Sequence, residues 1–422
     1  MRRGFWLISL VGAMGAFRLS AGCASADGSA SSPKAACPRG ELEPASVCAA
    51  WPTAPVATVT TTDGGVTCTW SDVTEPGIDE AIGVGNSGPM LATAPDQIYV
   101  AASSPISGSV ARIAHLDGTR WTREELPTTA TVFSLWGAPG GDVWATTGSS
   151  STVAPSEARC ASSVFRRASG AWRTEPPLDL GGAAGAIVTG LDDDHVVAFA
   201  SSDIGARAFR RCGDGWTELP RRNPRRAGIF TVAGAAPVGN HILAFGGGAD
   251  PASREILAFL DVLDGTAIDV IDIPVALTDI AAISGSSMDD LYVLALNRNV
   301  DGTDRVFHVT EALKTWTPLP VSESLTMRYL SPPMFGTVFG LGCEWPNKYV
   351  SPAGDCTRFG ALPPSGRFEP GPIDGGGFGI PGSVTADPNQ GIHVLAPPGG
   401  DAGGIVMEWR HHRANCQTVA KP

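Results

Sequence analysis

Short runs of β-branched and aromatic residues recur along this chain, each bounded by Gly, Pro or Ser. The clearest unit contains four such runs, at Thr131 to Ala138, Asp142 to Thr147, Ser163 to Ala168 and Ala171 to Pro177. Runs of this length and composition favour short β-strands joined by tight turns. The unit therefore predicts four antiparallel strands, A to D. The same pattern returns at Thr278 to Gly285, Asp290 to Leu296, Val306 to Thr310 and Thr315 to Pro320.

Two columns of residues repeat with a period of about fifty. The fourth strands align one large apolar residue per repeat: Trp70, Trp121, Trp172, Trp216, Ile268, Trp316 and Phe368. The starts of the second strands align a mostly polar residue: Gln97, Asp142, His195, His241, Asp290, Thr337 and Gly391. A four-stranded sheet cannot bury both of its faces alone, so repeats of this period stack and close radially. The chain is predicted to be all-β, a seven-bladed β-propeller of four-stranded antiparallel blades.

The seventh repeat is divided between the two ends of the chain. Three strands are predicted near the C-terminus, at Ser383 to Pro388, Ile392 to Pro397 and Ile405 to Arg410, and no fourth strand follows them. The segment from Gly65 to Val73 has the pattern of strand D, including Trp70. We expect this N-terminal strand to complete the last blade, which removes the exposed edges of an open arc.

Composition agrees with many short strands, and the first residues add an export signal. The chain has 52 Gly, 34 Pro and 17% charged residues, which suits turns better than long helices. Arg2 and Arg3 precede an apolar run from Phe5 to Phe17, the pattern of a secretory signal peptide and too short for a bilayer span. The segment from Leu19 to Cys23 resembles the lipobox of bacterial lipoproteins. Cys23 is therefore a predicted lipidation site, and cleavage after Ala26 is the alternative.

These patterns predict four regions. Residues 1–22 form the signal peptide, 23–49 the lipid anchor and flexible tether, 50–416 the propeller and 417–422 a C-terminal tail. Residues 24–36 contain only small, polar and turn-forming types, apart from one lysine, which is typical of a flexible linker. We expect an exported protein of the outer membrane or cell envelope, held at the membrane only through the lipid, or else a secreted one.

The negative net charge of the chain excludes some classes of binding partner. The formal net charge is −12, and it becomes about −15 without the three arginines of the leader. A strongly negative chain is repelled by nucleic acids and by anionic membrane surfaces. No nucleic-acid partner is expected, and the protein is expected to be a monomer.

The chain contains nine cysteines, and either cleavage leaves eight of them available for pairing. An even number in an exported chain favours disulfides. Cys343 and Cys356 flank the B–C loop of the sixth blade, and their pairing would staple that loop. Cys68 with Cys416 would lock the ring closed. Cys37 with Cys48 would tie the segment before the ring, which leaves Cys160 and Cys212 as the weakest pair.

Metal and catalytic motifs are sparse. His195 and His241 occupy the turn column that Asp142 and Asp290 fill elsewhere, so architecture explains their positions. The sequence contains no HExxH, CxxC or GxSxG, and no catalytic or metal-binding residue is predicted from such motifs. One weak calcium pattern is formed by Asn299, Asp301 and Asp304, although the closing glutamate of an EF-hand is absent and a turn is the alternative. Apart from a calcium ion at this pattern, no cofactor is expected.

Binding residues are expected in the D–A and B–C loops, which lie together around one rim of a propeller. The loop Arg221 to Arg226 places four arginines in an acidic chain, and guanidinium groups bind carboxylate or phosphate. A solvated loop is the alternative. The aromatic and polar residues after the sixth blade's strand B suit sugars and proteins. The candidate ligand-binding residues are Arg221, Arg222, Arg225, Arg226, Arg298, Trp345, Asn347, Lys348 and Tyr349.

The run WGxxxxDVW from Trp136 to Trp144 resembles repeats of bacterial exported propellers, broadly similar to kelch and galactose-oxidase central domains. The resemblance spans about residues 64–411 and implies a fold without bringing a catalytic motif. It favours a non-enzymatic binding or scaffold module that engages a protein or a glycan through rim loops. The alternative is an extracellular carbohydrate-active hydrolase or lyase. A glycosidase would need two carboxylates about 5 to 9.5 Å apart.

Overall fold

The structure, a computed structural model, consists of seven four-stranded sheets and one short helix, α1 (Ile78–Ile82), among the residues it describes. No helix in this part of the chain is long and apolar enough to span a membrane. The described residues are 48–52, 66–73, 75–83, 87–102, 110–148, 163–178, 186–200, 206–222, 230–248, 258–262, 264–275, 277, 279–296, 304–321, 325–344, 356–368, 370–373, 383–389, 391–396 and 409–418.

The first six blades are continuous in sequence, with strands A to D in chain order from the inside outwards. In blades 1 to 3 these strands are β2 (Ser87–Ala94), β3 (Gln97–Ala102), β4 (Arg112–Asp117), β5 (Arg120–Glu125), β6 (Thr131–Gly137), β7 (Val143–Gly148), β8 (Ser163–Ala168), β9 (Ala171–Thr174), β10 (Ala186–Gly190), β11 (Val196–Ala200), β12 (Arg207–Cys212) and β13 (Gly215–Glu218). In blades 4 to 6 they are β14 (Phe230–Val238), β15 (His241–Gly248), β16 (Ala258–Val262), β17 (Asp269–Asp272), β18 (Asp279–Ser287), β19 (Asp290–Leu296), β20 (Asp304–Thr310), β21 (Thr315–Leu319), β22 (Leu325–Leu330), β23 (Phe339–Glu344), β24 (Cys356–Ala361) and β25 (Gly371–Pro372).

Blade 7 joins the two ends of the chain, as the sequence predicts. It contains β26 (Ser383–Ala386), β27 (Gly391–Ala396), β28 (Arg410–Thr418) and, as strand D, β1 (Val66–Val73). β1 pairs with β28 in antiparallel register from Val66 opposite Thr418 to Val73 opposite His411. The prediction for strand C of this blade is wrong in position, since the strand begins at Arg410 rather than ending there. Residues 405–408 lie outside the described part of the chain, and β28 extends two residues into the predicted tail.

The predicted columns follow the strand architecture with two exceptions. The polar column lies at the start of strand B or within two residues of it in every blade. In the apolar column, five tryptophans lie in strand D, while Ile268 directly precedes β17 and Phe368 lies three residues before β25. The outer strand of blade 6 has only two residues, because prolines interrupt the segment that would otherwise pair with β24.

Among the described residues, buried apolar side chains group into seven clusters, and each cluster draws on two neighbouring blades. One cluster joins Leu395 of β27 and Trp409 to Trp121 of β5, across the joint between blades 7 and 1. Another joins Phe339 of β23 to Val394 of β27, across the joint between blades 6 and 7. Since all seven joints bury apolar surface, the ring is closed by the same hydrophobic packing that stacks its continuous blades.

Prolines at the end of strand D connect neighbouring blades. One occurs in each repeat, at Pro76, Pro127, Pro177, Pro220, Pro274, Pro320 and Pro372. The carbonyls of three of them accept backbone N–H groups from the apolar column of the next blade, with Trp121 to Pro76 at 3.0 Å, Ile268 to Pro220 at 2.9 Å and Phe368 to Pro320 at 3.0 Å. Proline lacks an N–H and ends the strand, but its carbonyl remains a full acceptor.

Acidic residues next to these prolines make a second contact across two of the joints. The indole N–H of Trp121 donates to Glu75 at 3.4 Å, and that of Trp172 donates to Glu124 at 2.6 Å. The sequence contains this signal as a third column, a glutamate followed within three residues by proline, in five of the repeats. A single repeat does not reveal this column, because the partner of each glutamate lies about fifty residues further along the chain.

Two disulfides have both partners in the described residues. Cys68 of β1 is bonded to Cys416 of β28, which is the pair that the sequence predicts for ring closure. Cys48 is bonded to Cys212, so the predicted pair of Cys37 with Cys48 and the weaker pair of Cys160 with Cys212 are both wrong. Cys212 ends strand C of blade 3 and reaches Cys48, because residues 48–52 lie against that blade. Cys343 belongs to a disulfide and lies opposite Cys356 in the register of β23 and β24. The Cys356 side chain is outside the described set, so its pairing stays a prediction, and Cys37 and Cys160 also lie outside it.

Candidate functional site

The ring has two faces with different connections. In each antiparallel sheet the A–B and C–D connections lie at one end of the blade, and the B–C and D–A connections lie at the other. We call these the turn face and the loop face. Turn-face connections are short in most blades, such as the two residues between β4 and β5 and between β12 and β13. Loop-face connections are longer, with fourteen residues between β7 and β8 and eleven between β23 and β24.

The structure describes two of the predicted ligand-binding arginines, and both contact neighbouring parts of the protein. The Arg221 guanidinium donates to the carbonyl oxygen of Ala206. The Arg222 guanidinium pairs with Asp264 and also with Asp269, the latter at 3.2 Å. The backbone at Arg221 also forms a parallel bridge with Ile268 of blade 4. These two arginines therefore connect blades 3 and 4, and both guanidinium groups already have hydrogen-bond partners.

The other predicted binding residues lie outside the described residues. They are Arg225, Arg226, Arg298, Trp345, Asn347, Lys348 and Tyr349, all on loop-face connections. Of the three residues in the calcium pattern, Asn299 and Asp301 also lie outside the described residues, and Asp304 begins β20. Among the side chains that are described, no group of three or more His, Cys, Asp or Glu is placed to hold a metal ion.

On the turn face, the polar column pairs with a polar residue of strand C in the same blade. His115 Nε2 lies 3.1 Å from the Gln97 amide oxygen, and Arg166 Nε donates to Asp142 at 2.5 Å. His241 Nδ1 lies 2.9 Å from Asp261. Asp290 contacts His308 at 3.0 Å in the same way. These pairs give His241 the architectural role that its position in the column indicates.

Blade 3 uses the same two positions to hold an N-terminal segment, residues 48–52, which we call the strap. The His195 Nε2 atom lies 2.6 Å from the Ala50 carbonyl oxygen, and the Arg210 guanidinium donates to the Ala49 carbonyl oxygen. Because a carbonyl oxygen only accepts, the His195 Nε2 atom is the donor. The disulfide of Cys48 with Cys212 fixes the strap covalently. The last two residues of the predicted 23–49 tether therefore contact the propeller.

Trp51 anchors the strap between blades 3 and 4. Its indole N–H donates to the Asn240 carbonyl oxygen in the A–B turn of blade 4, at 2.9 Å. Its ring meets His195 edge-on with centroids 5.4 Å apart, and the Arg210 guanidinium lies 5.0 Å from its centroid. Gly265 has a φ of 65°, and a Cβ there would lie 2.3 Å from the Trp51 ring. A larger residue at this turn would displace the indole.

The sequence gives a partial signal for this strap site. Arg210 occupies the strand-C position that holds His115, Arg166, Asp261 and His308 in other blades. In those blades the side chain pairs with the start of strand B, whereas Arg210 donates to the carbonyls of Ala49 and Gly265. Burial lowers the pKa of Arg210, and the charge of Asp264 partly offsets this. An arginine at this strand-C position, without an acidic residue at the start of strand B, indicates that another segment of the chain contacts it.

Ionisable groups with shifted pKa values lie mainly at blade joints. Burial alone would raise the pKa of Glu124, but hydrogen bonds from His115 and Arg167 lower it to about 2. Burial raises the pKa of Glu175, partly opposed by Arg211, which lies 3.0 Å away in blade 3. Burial also raises the pKa of Asp193, whose carboxylate accepts the Asp142 N–H at 3.1 Å. Glu124 lies in β5 and Asp193 lies in the A–B turn of blade 3, whereas Glu175 begins the loop-face connection between β9 and β10.

A cleft of about 100 Å³ lies between the outer parts of blades 6 and 7. Its walls include Trp70, Cys68 and Val66 from β1 and Phe359 from β24. Trp70 and Phe359 meet edge-on, with centroids 5.3 Å apart. The cleft results from the two-residue outer strand of blade 6, which leaves part of β24 uncovered.

Comparisons with known proteins show the fold and no family. No protein-family model matches the chain, and no curated protein does. Among solved structures, the chain is similar to YCF48 from Cyanidioschyzon merolae, with a TM-score of 0.50, 12% identity and coverage of 82% of this chain and 98% of that one. A structure of YCF48 bound to D1 peptide has a TM-score of 0.48 and 13% identity, and the match covers 84% of this chain and 98% of that one. Puromycin hydrolase has a TM-score of 0.49 and 16% identity, and the match covers 82% of this chain and 55% of that one. At these identities the shared property is the β-propeller.

Proposed function

We propose that this protein is an exported, lipid-tethered propeller that binds a protein or a glycan through its loop face. In this proposal Cys23 carries the lipid, residues 24–47 act as the tether and the loop face is presented to the partner. The predicted binding residues that lie beyond the described part of the chain belong to this face. The propeller acts as a rigid support, which is a common use of the fold.

The observation that carries the proposal is the attachment of the strap to the turn face. The disulfide of Cys48 with Cys212, and the contacts of Trp51 with His195 and Asn240, fix the point where the chain enters the propeller. A tether that begins at Cys23 would therefore reach the propeller on the turn face. The loop face would then be directed away from the anchored end, where a partner can approach it.

The difference between the two faces supports the same proposal. Many turn-face side chains are engaged in pairs such as His241 with Asp261 and His308 with Asp290. The longer connections, which carry the variable chemistry of the chain, lie on the loop face. Binding residues concentrate on such connections when a rigid scaffold supports them.

The anchor is tested by the Cys23→Ala variant. We expect it to move from the membrane fraction to the soluble exported fraction, because Cys23 is the proposed attachment site of the lipid. Cys37→Ala is the matched control, since it changes another early cysteine outside the lipobox and should leave fractionation unchanged. Unchanged fractionation of Cys23→Ala, with a mature N-terminus at Asp27, would exclude the lipoprotein.

The binding face is tested by photo-crosslinking in intact cells. A photoreactive amino acid replaces Trp345 or Tyr349 on the loop face, and Asp289 or Asn389 on the turn face as controls. We expect one discrete crosslinked protein or glycan species from the loop-face positions alone. Crosslinks from the turn-face controls alone would reverse the assignment. Release of new reducing ends from an extracellular polysaccharide would instead support the carbohydrate-active alternative.

A further inference from the structure

Four side chains in the closing blade form a continuous chain of hydrogen bonds. Asp387 Oδ2 lies 2.8 Å from His393 Nε2, and His393 Nδ1 lies 2.9 Å from His411 Nε2. His411 Nδ1 lies 3.0 Å from one Glu75 carboxylate oxygen and 3.1 Å from the other. The side chains of Asp387 and His393 are fully buried, and those of His411 and Glu75 are 1% and 13% exposed.

The chain crosses the place where the two ends of the protein meet. Asp387 follows β26, His393 lies in β27 and His411 lies in β28, so these three residues come from the C-terminal strands. Glu75 follows β1 and leads into α1 and blade 1. Its carboxylate also accepts the indole N–H of Trp121 in blade 1, at 3.4 Å. The hydrogen bonds therefore connect the closing blade to the first continuous blade.

The contacts fix the number of protons that the two imidazoles must hold. An ionised carboxylate only accepts hydrogen bonds, so His393 Nε2 and His411 Nδ1 must both carry a proton. The remaining nitrogens, His393 Nδ1 and His411 Nε2, face each other at 2.9 Å. Two bare lone pairs at this distance would repel, so one further proton must lie between them. The pair then holds three N–H protons on four ring nitrogens, which makes one ring an imidazolium.

The surrounding groups disfavour the extra proton on His393. Burial lowers the pKa of His393, and the charges of His411 and Arg413 lower it further, while Asp387 opposes them. Burial on its own would raise the pKa of Glu75, but the hydrogen bond and the charge of His411 lower it. The pKa of Asp387 is lowered against its burial by the hydrogen bond from His393. These directions agree with an ionised carboxylate at each end of the chain.

The other charged groups near the pair lie on β28 and on β1. Arg413 of β28 lies 3.8 Å from Asp387, and it balances the second carboxylate of the chain. His412, next to His411, faces Asp72 of β1, and burial followed by the charges of His411 and Arg410 lowers its pKa against the pull of Asp72. A second positive charge on the His393 and His411 pair would therefore be opposed, whereas the first is required by the geometry.

We propose that His393 and His411 share one proton that fastens the closing blade to blade 1, and that loss of this proton at alkaline pH loosens the joint. When the shared proton leaves, the contact between the two rings must open, or one ring must turn away from its carboxylate. Either change disrupts a buried hydrogen bond next to the strands β1, β27 and β28. The pair titrates as one unit, because the proton belongs to the contact rather than to either ring alone.

The Glu75→Gln variant tests the proposal without removing a side chain. The amide nitrogen of the substituted side chain can donate to His411 Nδ1, so His411 needs a proton only on Nε2 and two neutral rings satisfy the whole chain. The amide oxygen of the same side chain still accepts from the Trp121 indole. If Glu75→Gln does not fold, Asp387→Asn removes the same requirement from the other end. Asp261→Asn in blade 4 is the matched control, because it changes the carboxylate of a single histidine, His241.

Two measurements on the full mature chain decide the matter. Nitrogen-15 NMR of labelled histidines should show three protonated nitrogens in the wild-type pair near pH 6.5 and two in Glu75→Gln. Hydrogen exchange, corrected for intrinsic rate, should show β1 and β28 losing about tenfold or more protection relative to β15 between pH 6.5 and 9.5. Glu75→Gln should lose none, and Asp261→Asn should behave as the wild type. Two protonated nitrogens in the wild-type pair, or equal loss of protection in wild type and Glu75→Gln, would overturn the proposal.

Discussion

Residues of one sequence column differ in how much they are buried. Trp121 is 2% exposed between blades 7 and 1, where α1 and Trp409 also pack against it. Trp70 occupies the same column but is only partly buried, against Phe359 beside the short outer strand of blade 6. The column predicts a large apolar residue, and the neighbouring blade determines its burial.

We expect Trp121→Ala to lower the free energy of unfolding by about 3 to 5 kcal/mol, as for other buried aromatic truncations. Trp70→Ala should cost at least about 1 kcal/mol less, because less apolar surface loses its cover. Urea unfolding of both variants, with unchanged m-values, measures the difference. Equal losses would mean that the cleft next to Trp70 closes around the native ring in solution.

Glu124 predicts an acid-sensitive joint between blades 1 and 2. Its pKa is lowered to about 2 by His115 and Arg167, against the effect of burial. A carboxylate with a depressed folded pKa stabilises the protein above its unfolded pKa of about 4.5, and this contribution is lost as the pH falls towards 2. The contribution is on the order of 3 kcal/mol at neutral pH.

Between pH 4.5 and 2, the stability of the Glu124→Gln variant should therefore fall much less than that of the wild type. Glu125→Gln is the control at the next residue, because Glu125 is half-exposed and pairs with Arg123 at the surface. Thermal unfolding across this pH range compares the variants. Parallel curves for the wild type and Glu124→Gln would show that the acid sensitivity arises elsewhere.

The side-chain pairs between strands B and C are harder to predict from the sequence than the column positions at which they occur. The polar column was visible in the sequence, but its strand-C partners depend on register, which places His115 opposite Tyr99 and Arg210 opposite Val197. The sequence does not identify the strap as the segment that contacts Arg210, since Cys48 and Cys212 are 164 residues apart and meet only after the blades have stacked. The candidate loop residues carry chemistry that the sequence shows, but no repeat fixes their placement.

At the scale of the element, β28 shows why strand C of blade 7 was misplaced. The apolar run that ends at Arg410 predicts a strand there, because buried strands are usually apolar. The strand instead begins with Arg410, His411, His412 and Arg413, and the two histidines are buried. Hydrogen bonds to Glu75, His393 and Asp72 compensate for their burial, and a hydropathy pattern cannot detect such partners.

The disulfide of Cys68 with Cys416 should be important mainly for the pairing of β1 with β28. Replacing both cysteines with serine should lower stability by about 2 to 5 kcal/mol, because the bond closes a very long loop in the unfolded chain. Hydrogen exchange should show the lost protection concentrated in β1 and β28. In the control, Cys48→Ser with Cys212→Ser, these two strands should keep their protection. Equal exchange of β1 in both double variants would contradict this assignment.

At the scale of the whole molecule, the sequence predicted the blade number, the strand order and the composite last blade. This was possible because each repeat carries the same two columns, so errors within one repeat are corrected by the others. The ring also explains the seven separate apolar clusters, since no residue packs against more than its neighbouring blades. In blade 7 the covalent C–D turn of the other blades is absent, and the pairing of β1 with β28 and contacts between their side chains take its place.

That joint gives a prediction about connectivity. Val66 lies opposite Thr418, in the position where the other blades have a short C–D turn, such as the two residues between Cys212 and Gly215. A circular permutant can therefore move residues 66–73 behind Thr418 through a two-residue Asn-Gly turn and begin the chain at Glu75. Its seventh blade would be continuous like the other six, and the strap would be absent.

We expect this permutant to fold and to retain the thermal stability of the parent within a few degrees, because β1 keeps its register with β28 and its disulfide. A second chain that begins at Glu75 and lacks residues 66–73 is the control. It should aggregate or unfold at a much lower temperature, because β28 is left as an exposed edge and the apolar cluster between blades 6 and 7 loses Trp70 and Val66. Calorimetry and size-exclusion chromatography compare the two chains. If both are equally stable, β1 is dispensable and the first six blades with β26 to β28 hold the ring closed. If both fail, the strap of residues 48–52 is required for the ring to form, and its attachment to blade 3 is more than an exit point for the tether.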